Sequence, residues 1–382
     1  MRVDGVHRRT IALSDDGWAV DVIDQTRLPW QLRVLRVDSL AAAARAIRDM
    51  QVRGAPLIGA LAAYGVCLAL REDASPATLE RACAELAETR PTAINLGWAL
   101  ARVRAAVLAV GDAGGAGGAG GAGGAGGGDG AARVAAAYAC AAAICEDDVA
   151  TCQAIGQHGA AIFEATWRAV GRNRPLRVLT HCNAGWLATV DHGTALAPVY
   201  LAHDRGMPLH VWVDETRPRN QGMLTAWELG QHGVPHTVVA DNAGGHLLQR
   251  GQVDLVVVGT DRTCRNGDVC NKIGTYLKAL AARDAGVPFY VALPHSSIDW
   301  TMASGAEVPI EERAGRELRE VIGRGDGGVM THVTVVPEAS AVANPAFDVT
   351  PARLITGLIT ERGVCEATEE GLAGLYPERA RA

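Results

Sequence analysis

The sequence has few of the features that mark nucleic-acid-binding or membrane proteins. Its formal charge is −6 and its isoelectric point is near 6.0, whereas nucleic-acid binding favours a clustered basic surface. Aromatic residues make up only 4% of the chain, which weakens a base-stacking interpretation. No run reaches the ~18 uncharged apolar residues of a membrane span. The first stretch, MRVDGVHRRTIALSDDGWAV, has charges where a signal peptide needs an apolar centre. We expect no nucleic-acid and no membrane partner.

The cysteine pattern is not that of a disulfide framework. The nine cysteines are odd in number, form no CxxC and lie partly in alanine-rich stretches. Free thiols in a reducing cytoplasm are the better interpretation. The motifs GxxxxGK[ST], HExxH and GxSxG are also missing. We therefore expect no metal, no nucleotide and no other cofactor.

Residues 1–172 are predicted to form a small N-terminal domain of short strands and helices. Alternating polar and apolar positions before residue 38 indicate short strands. From Ser39, a possible helix cap, an alanine-rich run predicts two helices broken near Gly54-Ala55-Pro56, and further helices follow at Pro76–Glu88 and from residue 94. Residues 111–130, a GGA repeat, have no side chains to pack, which predicts a flexible surface insertion before helix resumes at Ala131.

Residues 173–382 are predicted to form a Rossmann-like, mostly parallel α/β domain. The runs LRVLTHC, PLHVWVDET, HTVVADN, VDLVVVGTDR, PFYVALP and VTVVP are short and apolar, and helical segments separate them. Ligands of such sheets bind beyond the carboxyl ends of the strands. Polar residues cluster at those predicted ends, which indicates an active site. They are Cys182, Glu215, Asp241, Asp261 and His295.

Cys182, in LTHCNAGW, has several interpretations. A thiol after a buried strand is often a packed small hydrophobe. A zinc site with His181, Asp191 and His192 matches no standard ligand spacing. A nucleophile would need a histidine base, but His181 points to the opposite side of a strand. A thiol that donates or accepts a proton in a dry pocket remains possible.

The segment VVVGTDRTCRNGDVCNKIGTY is the densest in polar groups. Asp261 follows a strand, where burial would raise the pKa of its carboxyl toward the range of a general acid. The alternative is an Asp261 that pairs with Arg262 or caps a loop. Asn271 and Lys272 are predicted to precede a helix, whose start suits an anion. Arg53 and Arg90, at helix boundaries, could bind phosphate oxygens bidentately or be solvated. Gln221 could bind sugar hydroxyls or brace a loop.

Ten segments, in order, resemble the methylthioribose-1-phosphate isomerase family, which is related to the alpha, beta and delta subunits of initiation factor eIF2B. They extend from about residue 8 to 363 and are VRGAPLIG, RPTAINLGWAL, THCNAGWLATVDHGTAL, DETRPRNQG, LTAWEL, DLVVVGTDR, NGDVCNKIGTY, PFYVALPHSSID, VPIEER and NPAFDVTP. The resemblance implies an α/β fold with a Rossmann-like C-terminal domain, a homodimer, and an aldose–ketose isomerase of 5-methylthioribose 1-phosphate. It implies neither metal nor nicotinamide.

The resemblance also implies roles for particular residues. Cys182 and Asp261 would be the catalytic pair. The implied substrate-binding residues are Arg53, Gly54, Ala55, Arg90, Gln221, Asn271 and Lys272. Hydrogen would move from C2 to C1 either as a proton, through an enediol, or as a hydride. Departures from the family pattern near the pocket, such as GTDR and ALPHSSID, leave 5-deoxyribose 1-phosphate open as a further substrate. Ribose 1,5-bisphosphate is a third possible substrate, and a non-catalytic regulatory binding protein like the eIF2B subunits is the competing function.

Overall fold

The computed structural model describes residues 1–114 and 127–379 of the chain. Its N-terminal part has five short strands followed by five helices. The strands are β1 (Arg2–Val3), β2 (Val6–His7), β3 (Ile11–Leu13), β4 (Val20–Ile23) and β5 (Val34–Val37). The helices are α1 (Leu40–Arg48), α2 (Ala55–Glu72), α3 (Pro76–Ala87), α4 (Ile94–Gly114) and α5 (Gly127–Ala169).

The predicted helices of this part are confirmed, and so are the helix cap and the helix break that the sequence predicted. The Ser39 side chain accepts a hydrogen bond from the Ala42 amide and caps α1. The break before α2 falls at Gly54, as predicted. Helix α2 is long and apolar enough to cross a membrane, but 78% of it is buried inside the protein. It is therefore the central helix of the N-terminal core, packed by α1, α3, α4 and α5.

The predicted flexible insertion at 111–130 is only partly within the described residues. Residues 111–114 continue α4 and residues 127–130 belong to α5, so helix extends into both ends of the segment, beyond the predicted resumption at Ala131. Alanine-rich neighbours favour helix. Residues 115–126 lie outside the described part of the chain.

The second part of the chain alternates strands and helices. Its strands are β6 (Leu176–Thr180), β7 (Leu209–Asp214), β8 (His236–Val239), β9 (Leu255–Val258), β10 (Arg262–Cys264), β11 (Val269–Lys272), β12 (Phe289–Ala292), β13 (Ile298–Asp299), β14 (Glu320–Arg324), β15 (Met330–Thr334), β16 (Phe347–Thr350), β17 (Gly357–Thr360) and β18 (Gly363–Cys365). Its helices are α6 (Ala197–Asp204), α7 (Gly222–His232), α8 (Ala243–Gln249), α9 (Thr275–Asp284), α10 (Arg316–Arg319) and α11 (Glu369–Leu375).

The predicted parallel sheet is confirmed. Seven strands lie in the order β18-β17-β12-β9-β6-β7-β8, and all pairs except β17–β18 are parallel. Central strands such as β9 are buried along their whole length, because apolar clusters cover both faces of the sheet. The carboxyl ends of β6 and β9 are neighbours, which places the segments with Cys182 and Asp261 side by side.

One predicted strand of this sheet is wrong. The run VTVVP begins within β15, which pairs only with β14 in a separate antiparallel hairpin. Four of the five residues of β15 are exposed, as expected of a two-stranded hairpin rather than of a central strand. The strand that completes the parallel sheet next to β12 is β17, a short run containing glycine and threonine. A four-stranded sheet, in the order β13-β10-β11-β16, extends beyond β9.

Candidate active site

All nine predicted site residues line one cavity, at the carboxyl ends of β6 and β9. They are Arg53, Gly54, Ala55, Arg90, Cys182, Gln221, Asp261, Asn271 and Lys272. The cavity has about 60 Å³ of free space and is bounded on one side by the start of α2. Glu215, Asp241 and His295, which also follow strands, lie outside its lining. The strand-end rule therefore located the cavity but selected only two of five residues correctly.

The start of α2 points at the cavity. Gly54 precedes the helix with φ of +97°, and no side chain caps the first turn. A Cβ at Gly54 would lie 2.3 Å from the Cα of Ala188, so only glycine fits this approach of two backbones. The first amide groups of an α-helix have no partner within the helix, and the helix dipole makes this end positive. Gly54 and Ala55 therefore present amides suited to an anion.

Two buried arginines flank the helix start. Burial lowers the pKa of Arg53 and of Arg90, because a guanidinium ion loses solvation there. Arg53 donates through both terminal nitrogens to Asn183, at 2.7 Å for the backbone oxygen. The Nε of Arg90 has no hydrogen-bond partner among the described residues, and its nearest carboxylate oxygen, on Glu311, is 3.9 Å from Nη2. Arg90 thus offers an anion an incompletely paired guanidinium group.

Asn271 and Lys272 are the last two residues of β11, and they precede a helix as predicted, since α9 begins at Thr275. Burial lowers the pKa of Lys272 to about 8. Its Nζ donates to the carbonyl oxygen of Ala346 at 2.7 Å and lies 4.5 Å from the ring centre of Phe347. The site therefore holds a desolvated, partly neutralisable amine.

Gln221 is buried just before α7. Its Oε1 atom has no hydrogen-bond partner within the described residues. A buried amide oxygen without a partner is costly. Of the two interpretations of Gln221, a ligand-binding role therefore fits better than loop bracing.

Cys182 is held in a left-handed conformation two residues after β6, with φ of +67°. Its backbone N–H donates to Thr216 Oγ1 at 2.9 Å, and its carbonyl accepts from Thr225 Oγ1 at 2.8 Å. Such a φ is unfavourable for a residue with a Cβ and persists only where neighbours enforce it. Burial raises the pKa of the thiol, although Arg53 and Lys272 oppose the shift. Cys182 is thus a fixed thiol whose burial favours the protonated form.

The turn after Cys182 rests on a buried carboxyl group. Asn183 Nδ2 donates to Glu228 Oε1 at 2.7 Å, and the Leu187 amide donates to Glu228 Oε2 at 3.1 Å. Burial raises the pKa of Glu228 to about 7. A Cβ at Gly185 would lie 1.7 Å from Glu228 Oε1, so the turn sits directly on this group. Glu228 orients Asn183, which in turn positions Arg53.

Asp261 lies three residues after β9, and its amide donates to the Cys270 carbonyl at 3.0 Å. The predicted alternative, a pair with Arg262, is wrong. Arg262 instead pairs with Asp299 at 3.0 Å and donates to the Thr92 carbonyl at 2.8 Å. Within residues 1–114 and 127–379, the Asp261 carboxyl group makes no hydrogen bond or ion pair of its own. It faces the cavity free to exchange a proton with a ligand.

His181 is turned away from Cys182, as predicted. Its Nδ1 lies 2.9 Å from Asp214 Oδ2 and its Nε2 lies 2.8 Å from the Ile273 carbonyl. His181, Asp214 and Asp241 are close enough together to hold a metal ion. The Lys278 ammonium already lies 3.1 Å from Asp214 Oδ2, however, and supplies the positive charge that this cluster needs.

The zinc site that would join His181 to Asp191 and His192 does not fit the structure. Asp191 binds the amino group of Met1 and the ring of His7. His192 is partly exposed and faces Gln153, whereas His181 lies in the separate cluster. The three side chains do not converge on one point.

Four of the further lining residues that were not predicted from the sequence have long or bulky side chains. They are Met50, Arg219, Arg313 and Phe347. Arg219 lines the cavity, whereas the neighbouring Arg217 donates to the carbonyl of Leu318 outside it. The only signal for the two arginines was their position in the segments DETRPRNQG and VPIEER, which gives no side-chain direction.

Comparisons with known proteins agree with this geometry. Residues 51–367 match the model of the Initiation factor 2 subunit family. Methylthioribose-1-phosphate isomerases of Methylorubrum populi and Paramagnetospirillum magneticum are 62% and 60% identical, with complete coverage of both chains. A crystal structure of 5-methylthioribose 1-phosphate isomerase from Pyrococcus horikoshii superposes with a TM-score of 0.80 at 36% identity, over 97% of this chain and 96% of that one. A structure titled initiation factor eIF-2B, subunit delta, from A. fulgidus gives 0.77 at 36% identity, over 97% and 100%.

Proposed function

The chain belongs to the Initiation factor 2 subunit family and, within it, to the methylthioribose-1-phosphate isomerases, and on this premise we propose how it converts 5-methylthioribose 1-phosphate to 5-methylthioribulose 1-phosphate. One observation supports the proposal most strongly. An uncapped helix start and incompletely paired cations share a cavity with one thiol and one free carboxyl group. The first set suits a phosphate monoester, and the second suits proton and hydrogen transfer.

Phosphate binding comes first. The amides at Gly54 and Ala55 and the guanidinium group of Arg90 hold the phosphate on C1. Lys272 and Gln221 supply further donors for the phosphate and the sugar hydroxyls. Since these groups are buried or partly buried, each charge-assisted hydrogen bond to a phosphate oxygen is worth more than it would be at the surface.

Ring opening needs an acid because the phosphate ester blocks spontaneous opening at C1. Asp261 donates its proton to the ring oxygen, the bond from that oxygen to C1 breaks, and C1 becomes electron-deficient. Hydrogen then moves with its electron pair from C2 to C1, and the C2 hydroxyl returns a proton to Asp261 as the ketone forms. The steps balance without any added oxidant. Cys182 supports this hydride route rather than an enediol route, because a protonated thiol can stabilise charge but cannot abstract the C2 proton.

The test is turnover of 5-methylthioribose 1-phosphate by the whole protein, in the presence of EDTA and with no cofactor added. Asp261→Asn and Cys182→Ser should each lower kcat by about a thousandfold or more, while the substrate dissociation constant changes little. Asp284→Asn and Cys365→Ser make the same chemical changes outside the cavity and should leave kcat unchanged. Near-normal turnover by either cavity variant would contradict the catalytic roles of Asp261 and Cys182.

The competing function is non-catalytic binding, since a relative at 36% identity is titled as an initiation factor subunit. The same experiment separates the two. A regulatory binding protein would bind the sugar phosphate, detectably by calorimetry, and would release it unchanged. The identities of 54–62% to chains named as isomerases support turnover.

We further propose that the enzyme is a homodimer in a reducing cytoplasm. All nine cysteines lie within the described residues and each is free, which supports a reducing compartment. The dimer rests on the family resemblance. Light scattering on the purified protein would test it, and a monomer mass would contradict it.

A further inference from the structure

A second, larger chamber lies beside the catalytic cavity. It has about 420 Å³ of free space, against about 60 Å³ for the cavity itself. The two share walls at Met50, Arg53, Arg219 and Gln221. A volume of this order holds a whole small-molecule group rather than a single methyl.

Much of the chamber lining is apolar. Its apolar lining residues come from four segments of the chain and are Leu28, Pro29, Trp30, Met50, Met223, Leu224, Ile322 and Met330. Trp30 and Ile322 are 46% and 50% exposed, which is unusual for large apolar side chains unless something covers them.

Most charged residues of the chamber are already paired with each other. Arg219 pairs with Glu317 at 2.6 Å, and Arg316 pairs with Glu320 at 2.8 Å. His332 lies 3.0 Å from the same Glu320. Apart from Arg53, which the chamber shares with the catalytic cavity, the arginines of the chamber are thus neutralised by carboxylates, which argues against ribose 1,5-bisphosphate as a substrate.

The hairpin of β14 and β15 turns one face to the chamber. Ile322 is paired with His332 across the hairpin, and both line the chamber together with Met330. Side chains alternate between the faces of a strand. Val333, next to His332 and 53% exposed, is outside the lining and lies on the other face. Ile322 thus lies on the face of the hairpin that lines the chamber, and Val333 is a matched apolar position on the other face.

We propose that this chamber receives the 5-substituent of the substrate and admits apolar groups much larger than methylthio. The inference rests on the proposed function. A phosphate on C1 held by Gly54, Ala55 and Arg90 would leave C5 on the opposite side of the ring. The chamber is the larger space beside the cavity, and Gln221 and Met50 line both. The substrate class is therefore 5-alkylthio and 5-arylthio riboses phosphorylated at C1.

The test compares kcat/KM for the 5-methylthio, 5-butylthio and 5-benzylthio substrates, with 5-deoxyribose 1-phosphate and ribose 1,5-bisphosphate as small and charged members of the series. For the wild type, the benzylthio and butylthio values should lie within about tenfold of the methylthio value, and the bisphosphate value should be at least about a hundredfold lower. The deoxy compound, which fills no part of the chamber, should fall below methylthio.

Two variants test whether the chamber is responsible for turnover of the substrates with larger 5-substituents. Ile322→Asp should lower kcat/KM for the benzylthio substrate by about tenfold or more and for the methylthio substrate by less than about threefold, because a charge in the chamber opposes burial of the larger group. Val333→Asp should change neither. Turnover of methylthio but not of benzylthio by the wild type would overturn the inference and leave the proposed function standing. Equal effects of the two aspartates would also overturn it, and failure to turn over any member would overturn the function itself.

Discussion

Replacing Glu228 by glutamine should change how stability depends on pH. Burial raises the pKa of this carboxyl group from its ordinary 4.5 to about 7. The folded protein therefore holds the proton more tightly than the unfolded chain does. The stability that this provides is fully present below the unfolded pKa and is lost as pH rises through the folded one. Through this group alone, the free energy of unfolding of the wild type should therefore fall by about 2–3 kcal/mol between about pH 5 and about pH 8.

Glu228→Gln removes this loss of stability at higher pH, because glutamine does not titrate. It introduces another loss of stability that is the same at every pH. A glutamine keeps an acceptor for Asn183 but turns its NH₂ toward the Leu187 amide, so one hydrogen bond of about 1 kcal/mol is lost at every pH. At pH 5, where the carboxyl group of the unfolded wild type is already mostly ionised, Glu228→Gln and the wild type should be about equally stable. At pH 8 the variant should be more stable by about 2 kcal/mol, because the folded wild type then has a buried carboxylate.

The assay is urea unfolding of both proteins at the two pH values. At each pH the free energy of unfolding of the wild type is subtracted from that of the variant. The measured quantity is the change in this difference between the two pH values. Asp148, whose pKa burial also raises to about 7, titrates equally in both proteins and cancels from it. Asp148→Asn is the matched control in which Glu228 still titrates. A difference between Glu228→Gln and wild type that is the same at both pH values would refute the reasoning.

Two further predictions concern the start of α2 and the lysines. Gly54→Ala should destabilise the protein by about 2 kcal/mol or more and weaken phosphate binding, because of its φ of +97° and the 2.3 Å approach to Ala188. Gly97→Ala, in open space on α4, should instead stabilise by up to about 1 kcal/mol, and equal urea midpoints for the two variants would contradict this. The chain has two lysines, so pyridoxal 5′-phosphate followed by borohydride should label Lys272, whose pKa is about 8, and spare the ion-paired Lys278. Peptide mass spectrometry should show the label blocked by inorganic phosphate; label on Lys278, or none that phosphate blocks, would count against an anion site at Lys272.

Periodicity predicted the parts of the fold that depend on local pattern. The helix break at Gly54 and the strand before Cys182 follow from residue type alone. The antiparallel pairing of β15 could not be predicted, because an apolar run of that length fits a sheet edge as well as a sheet centre. Strand β17 was missed because glycine and threonine dilute its apolar pattern.

The site was predictable as a set of residues but not as an arrangement. The nine residues came from a family resemblance, and the position of strand ends supported only Cys182 and Asp261. Which oxygens of Glu228 brace the turn, and which donors remain free on Arg90, depend on side-chain directions across distant segments. One sequence gives no information on such long-range contacts.

The cavity is shared between two stretches of chain that differ in what they contribute. Residues 53–90 supply the helix start, Arg53 and Arg90, whereas residues 182–272 supply the thiol and the carboxyl group together with further binding groups such as Lys272. Recognition and chemistry can therefore change independently by substitution. A protein with this backbone that kept Gly54, Ala55 and Arg90 but lost Cys182 and Asp261 would still bind a sugar phosphate and would leave it unaltered. The same scaffold can thus measure the concentration of a metabolite as readily as it can transform one.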